Sequence, residues 1–364
     1  MMIDRRLVQE VDWVLIGLVL INSLVGVLFI YSASHFVPGA YYLKQLAWVG
    51  AGLVALILVV MVDYKFLVAF SPYFYGLSVA LLAGLLVFAR LIAGTKSWIA
   101  FGSFRFQPSE MAKIVMILLF ARLFAEYKAA YLTPRFTALA LLLAAVPGLL
   151  IVLQPDLGTA LAFSAVAGGA FVLAGMKKKT IAVFLLLSLA IGVGGWNFGL
   201  KDYQKKRLAT VLSPHQDPRG SGYQVIQSKI AIGSGGLTGK GFKNGSQIQL
   251  RFLPARHTDF IFSVVGEEFG FLGVFTVIAL YFFMLLRMFQ SVTKARDRAG
   301  VYIVFMASLL IAFQFLVNIL MIIGLFPVTG ITLPFLSYGG SSLVASFVAC
   351  GLILNVRMRR FANV

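Results

Sequence analysis

Residues 233–270 read GSGGLTGKGFKNGSQIQLRFLPARHTDFIFSVVGEEFG. The segment begins as a glycine-rich, basic loop and ends as an apolar run, with Asp259 at the changeover. Long apolar runs joined by short charged segments recur on both sides of it, and runs of about 20 apolar residues are what a membrane crossing needs. The composition agrees. Hydrophobic residues make up 60% of the 364 and charged residues only 12%, against about 25% charged in soluble domains. A soluble fold is excluded. The net charge of +18 would suggest nucleic acid in a soluble chain; here the basic residues are shared among joints between spans, and no nucleic-acid partner is expected. The single Cys350 forms no internal disulfide.

Outward from this segment the pattern predicts an all-α, polytopic membrane protein with ten transmembrane helices and one domain covering 1–364. The spans fall at 11–31, 43–62, 66–89, 111–125, 136–153, 157–174, 181–198, 260–289, 301–325 and 343–356. The fourth is short and is expected to start earlier, at Pro108. The first follows Arg5 and Arg6 like a signal peptide, but its length and the spans after it favour an uncleaved helix. The short joints on one side hold only Lys44, Arg90, Lys96 and Arg105, while most remaining Lys and Arg lie in the joints opposite. By the positive-inside rule both termini are cytoplasmic. The long loop 199–258, between spans seven and eight, is then extracytoplasmic.

That loop is strongly basic, from Lys201 to Arg256. The excess suits either anionic lipid heads or an anionic substrate such as a lipid pyrophosphate. Residues 203–212 suit a helix in the membrane interface, and 223–232 suit a second. The glycines of 233–245 lack the ending of a phosphate loop and read as a mobile flap. Lys240, Lys243, Arg251 and Arg256, the basic residues nearest Asp259, are expected to meet phosphate oxygens rather than to brace the fold.

Ionisable groups near membrane depth are costly and therefore candidates for function. Among the thirteen acids, Glu110 and Asp156 each follow a proline at an outer helix start, where an acid either favours the helix dipole or faces an outward cavity. Lys113, one turn after Glu110, pairs with it. Asp259 either caps the eighth helix or acts as a base at the membrane boundary, with Thr258 as the alternative cap. Glu267 and Glu268 fall deeper and are expected to be ion-paired or hydrogen-bonded. The scattered acids and histidines show no ligand spacing, so no metal site is assigned, no cofactor is called for and a divalent cation is left open.

Several spaced motifs carry a resemblance. They are Trp98-Ile99 with Phe106-Gln107-Pro108-Ser109-Glu110; Gln154-Pro155-Asp156-Leu157-Gly158-Thr159; Gly222-Tyr223-Gln224; His257-Thr258-Asp259-Phe260; and the stretch from Asn318 through Gly324 to Leu336-Ser337-Tyr338-Gly339-Gly340-Ser341-Ser342. Together they resemble the SEDS family (shape, elongation, division and sporulation) across essentially the whole chain, most closely its elongation members. The resemblance implies a peptidoglycan glycosyltransferase of the bacterial cytoplasmic (inner) membrane that polymerises lipid II. The donor is the MurNAc-linked undecaprenyl pyrophosphate and the acceptor the GlcNAc 4-hydroxyl, with inversion at the donor carbon and Asp259 as general base. Trp98, Glu110, Lys113, Asp156, Lys243, Arg251, Arg256, His257, Ser337 and Tyr338 are the expected substrate-binding residues. The implied partners are lipid II, the growing glycan strand, membrane lipids and a class B penicillin-binding transpeptidase. Relatives often carry glutamate where this chain has Ala255, so no role passes to that position. A lipid II flippase is the alternative reading, though most of the embedded acids lie toward the outer half.

Overall fold

The computed structural model describes residues 9–35, 39–89, 94–101, 104–127, 129, 131–176, 210–211, 213–214, 217, 220–250 and 252–361. Its main helices are α1 (Trp13–Ser34), α2 (Tyr41–Met61), α3 (Tyr64–Phe88), α4 (Pro108–Glu126), α5 (Pro134–Leu153), α6 (Leu157–Leu173), α7 (Ser221–Ser234), α8 (Ile261–Gln290), α9 (Arg298–Ile322) and α10 (Gly340–Met358). Among the described residues, α1, α2, α3, α5, α8, α9 and α10 are long and apolar enough to cross a membrane. The chain is an all-α, multi-pass membrane protein. Nine of the expected spans fall on α1–α6 and α8–α10, and α4 does begin at Pro108. The seventh, 181–198, lies outside the described residues, as does all but residues 210 and 211 of the expected interface helix at 203–212.

Local chemistry explains the helix starts. Asp12, Asp63, Thr133, Asp156 and Asp297 each accept a hydrogen bond from an amide of the turn that follows, and α4 and α5 open on proline. Large apolar side chains such as Phe271, Phe275, Phe282 and Phe283 of α8 face outward, as lipid-facing residues do. The interior is closed by small residues at crossings. The ring of Phe347 on α10 packs flat against Gly52 of α2, where a Cβ would overlap it.

Three features depart from a bundle of plain spans. A small antiparallel pair, β1 (Ile99–Phe101) and β2 (Phe104–Phe106), precedes α4, with Ile99 opposite Phe106. Two short aromatic-rich runs separated by Gly102-Ser103 in WIAFGSFRF suit a hairpin better than a helix. The chain between α9 and α10 is a non-helical loop, buried at Leu333, Phe335, Leu336 and Ser337. Irregular backbone at such depth requires protein partners; here Tyr281 donates to the Pro334 carbonyl and Gln45 Nε2 to the Ser337 carbonyl at 3.0 Å.

The third departure corrects an expectation. Span eight is not continuous: Gly270 adopts φ 60°, ψ −152° and breaks α8 into two helices. The glycine loop expected to be a mobile flap is docked in that break. The amides of Lys240 and Gly241 donate to the carbonyls of Glu267 and Glu268, at 3.0 and 2.9 Å. Those of Phe271 and Leu272 donate back to Gly236 and Leu237, at 2.9 and 3.1 Å. Glycine here permits close backbone approach rather than mobility, since a Cβ on Gly239 would collide with the Glu268 carbonyl. Glu267 accepts from Lys240 Nζ at 2.8 Å and the Gln247 amide at 3.0 Å, and Glu268 accepts from Ser32. Oε1 of each carboxyl is held in this way, while Glu267 Oε2 and Glu268 Oε2 are buried without a hydrogen-bond partner among the described residues.

Candidate active site

The N-termini of α4, α6, α8 and α10 converge on one cavity of about 610 Å³. Trp98, Glu110, Lys113, Asp156, Asp259 and Tyr338 all line it, although they span 240 positions of sequence. Also in its wall are Gln107, Gln224, Gln314, Thr332 and Ser341. Sequence reasoning did not select these. Gln314 was findable: it is a buried amide in the middle of an apolar span, the pattern that marks function within a membrane.

The acids have distinct jobs. Glu110 and Lys113 form a buried ion pair at 2.9 Å, one turn apart on α4. Asp156 caps α6, accepting from the Thr159 amide at 3.1 Å and its hydroxyl at 2.9 Å, and also from Gln107 Nε2 at 2.7 Å. Asp259 sits one residue before the N-cap of α8, which is Phe260 and carries no side-chain cap. The N-cap position thus belongs to neither Asp259 nor Thr258, and the turn before it closes on the Ala255 carbonyl through the amides of Thr258 and Phe260. Asp259 is one of the residues lining the cavity.

Three of the basic residues expected to meet phosphate are bonded within the protein. Lys240 is held by Glu267. Lys243, at φ 63°, donates to the Tyr31 hydroxyl at 2.8 Å and lies 4.0 Å from that ring's centre. Arg256 is buried and donates through Nε to the Ala33 carbonyl at 2.7 Å. Each braces the loop against α1 or α8, because a cation at this depth must find an acceptor within the protein. Arg251 lies outside the described residues. Among the described residues, Lys113 is the only cation in the cavity wall.

His257 and Ser337 stand beside the cavity without lining it. His257 packs between Tyr41 and Tyr338, with ring centres 4.8 and 5.9 Å away. Burial first, and Arg256 second, hold its imidazole below the ordinary value. Burial likewise pushes the Tyr338 hydroxyl up, and nearby Arg105 opposes the shift. Ser337 Oγ donates to the Thr258 carbonyl at 2.6 Å, so its role here is in the backbone. Among the described residues no three His, Cys, Asp or Glu side chains gather as a metal site.

The sequence profile of the FtsW/RodA/SpoVE family, described as "Cell cycle protein", matches residues 8–361. The chain belongs to this family. It is 37% identical to the peptidoglycan glycosyltransferase MrdB of Escherichia coli (strain K12), over 87% of this chain and 85% of that one. It is 32% identical to the peptidoglycan glycosyltransferase RodA of Treponema pallidum, over 98% and 99%. Among solved structures, a chain of a peptidoglycan synthase complex that coordinates polymerization and crosslinking superposes with a TM-score of 0.83 at 35% identity, covering 97% of this chain and 99% of that one. The rod shape determining protein RodA of Thermus thermophilus gives 0.73 at 30%, covering 97% and 98%.

Proposed function

We propose that this chain polymerises lipid II into glycan strands at the outer face of the bacterial cytoplasmic membrane. It is a peptidoglycan glycosyltransferase, the activity named for its relatives. The observation that carries the reading is that Asp259 lines the same cavity as the buried Glu110–Lys113 pair, at the membrane-boundary start of α8. The acceptor GlcNAc 4-hydroxyl attacks the anomeric carbon of MurNAc. A C–O bond forms as the bond to pyrophosphate breaks, the hydroxyl proton passes to Asp259, and undecaprenyl pyrophosphate leaves. A placed base contributes roughly 10²–10⁴ in rate.

The leaving pyrophosphate needs positive potential. With Lys240, Lys243 and Arg256 bonded elsewhere and Lys113 countered by Glu110, that potential comes from the four helix N-termini at one cavity. Trp98 and the wall amides offer the stacking and hydrogen bonding that a sugar ring takes. Ten spans, both termini in the cytoplasm and loop 199–258 outside complete the topology we assign. The partner is a class B penicillin-binding transpeptidase, a pairing supported by the likeness to the synthase complex.

Purified protein with labelled lipid II tests this reading. The Asp259→Asn variant should express and fold yet form no polymer. Polymer formation by that variant at the wild-type rate would defeat the assignment of the base. Lipid transfer across liposomes with no polymer from the wild type would restore the flippase reading.

A further inference from the structure

Three consecutive carbonyls leading into α8 are held by groups outside that helix. The His257 carbonyl accepts from the Tyr338 amide at 2.9 Å, the Thr258 carbonyl from Ser337 Oγ at 2.6 Å, and the Asp259 carbonyl from Asn318 Nδ2 at 2.9 Å. Asn318 lies on α9 and is fully buried. The same Nδ2 also donates to the Ile331 carbonyl at 2.8 Å. Both neighbours are acceptors, so the amide nitrogen rather than its oxygen must face them. One side chain therefore ties the main chain of Asp259 to residues 330–331 of the cavity wall. That wall comes close to the acid: a Cβ on Gly330 would stand 3.9 Å from Asp259 Oδ2.

We propose that Asn318 is a positioning residue that acts through Asp259, fixing the carboxylate against the Gly330–Ile331 wall where the acceptor sugar packs. The proposal rests on the reading of Asp259 as the base. The physical requirement is strict, because a base works within about 2.6–3.2 Å of the group it deprotonates. Asn318 meets it by holding two backbone segments, from either side of the site, through one planar amide. Replacing it with an apolar residue leaves both carbonyls without their donor and lets the acid drift from the wall.

The test is lipid II polymerisation by the full chain carrying Asn318→Leu, which keeps similar bulk and removes the donor. For Asn318→Leu, kcat should fall about 10- to 100-fold, the size of effect a 1 Å misplacement produces. KM should stay within about twofold, since ground-state binding is not what is lost. The acid limb of the kcat–pH profile should also move, because the surroundings of the carboxylate change. An unchanged kcat in folded Asn318→Leu would overturn the proposal. So would a loss that only tracks the folded fraction with the acid limb in place. If Asn318→Leu does not fold, Asn318→Ser, whose shorter side chain cannot bridge both carbonyls, carries the same measurement, and an unmoved kcat and profile there overturns the proposal. An inactive Asp259→Asn beside an unperturbed Asn318→Leu defeats this proposal alone, whereas an active Asp259→Asn defeats the reading beneath it.

Discussion

Arg256 shows how a residue three positions from the proposed base is used to build the site rather than to bind at it. Its guanidinium is buried and bonded to the end of α1. Arg256→Ala should therefore lower the melting temperature, at a cost of about 1.5–3 kcal/mol, the range for hydrogen bonds to charged groups. Thermal unfolding in detergent measures it; an unshifted midpoint with weakened substrate use would return Arg256 to the binding role. His257 makes a pH prediction. Its folded pKa lies below the ordinary 6.5. Above that value both folded and unfolded chains carry it neutral. As pH falls through it, the unfolded chain takes up the proton first, so stability declines until the folded pKa is passed. The His257→Gln protein should show a flatter loss of stability below pH 6.5 than the wild type, and parallel curves would show that another group controls that window.

At the scale of the element, α8 is two helices with the glycine loop set into the gap. The half that follows Asp259 ends at the buried Glu267–Lys240 pair. The proposed base thus sits at one end of a short helix whose other end is anchored. Gly239 is at φ 80°, and a side chain there meets the Glu268 backbone. Gly239→Ala should undock the loop, at the cost of about 1–3 kcal/mol that a strained backbone position carries. Hydrogen exchange reads it directly. The amides of Lys240 and Gly241 should be protected in the wild type and exchange rapidly in the variant. Fast exchange of both amides in the wild type would mean that the loop is a flap after all.

Across the whole molecule, the end of the bundle opposite the cavity is tied together by the buried carboxylate of Asp12, beside the more exposed pairs Arg359–Asp63 and Arg360–Glu10. Asp12 caps α1 and pairs with Arg287 at the end of α8, at 2.9 Å, and with Arg357 at the end of α10. Asp12→Ala leaves Arg357 buried without its countercharge, which costs about 3–5 kcal/mol. Folded yield and melting temperature should both drop, while the surviving folded protein keeps its KM for lipid II, because the cavity is formed at the other end. A raised KM at unchanged stability would show that the two ends are coupled.

The sequence by itself left Asp259 open between cap and base, the base role resting on the resemblance, but it determined the membrane class and placed the described spans' starts to within about three residues. These depend on short-range physics: runs of apolar residues long enough to span, and prolines and capping side chains that act within one turn. The resemblance carried by the motifs around Trp98, Asp156, Asp259 and Ser337 then brought distant segments under one activity. Only the tertiary structure decided where the charges point. In sequence, Lys240, Lys243 and Arg256 sit beside Asp259, yet Lys243 and Arg256 found acceptors on α1, 212 and 223 positions away, and Lys240 found Glu267 within α8, since a cation taken from water needs the acceptor that the fold brings near. The break at Gly270 was equally hidden. Glycine is common in membrane helices, and nothing local distinguishes one that packs from one that turns the backbone aside to admit a loop. The ties from Asn318 and Ser337 to the chain at Asp259 cross 59 and 79 positions, a juxtaposition that exists only once α8, α9 and the buried loop are packed together.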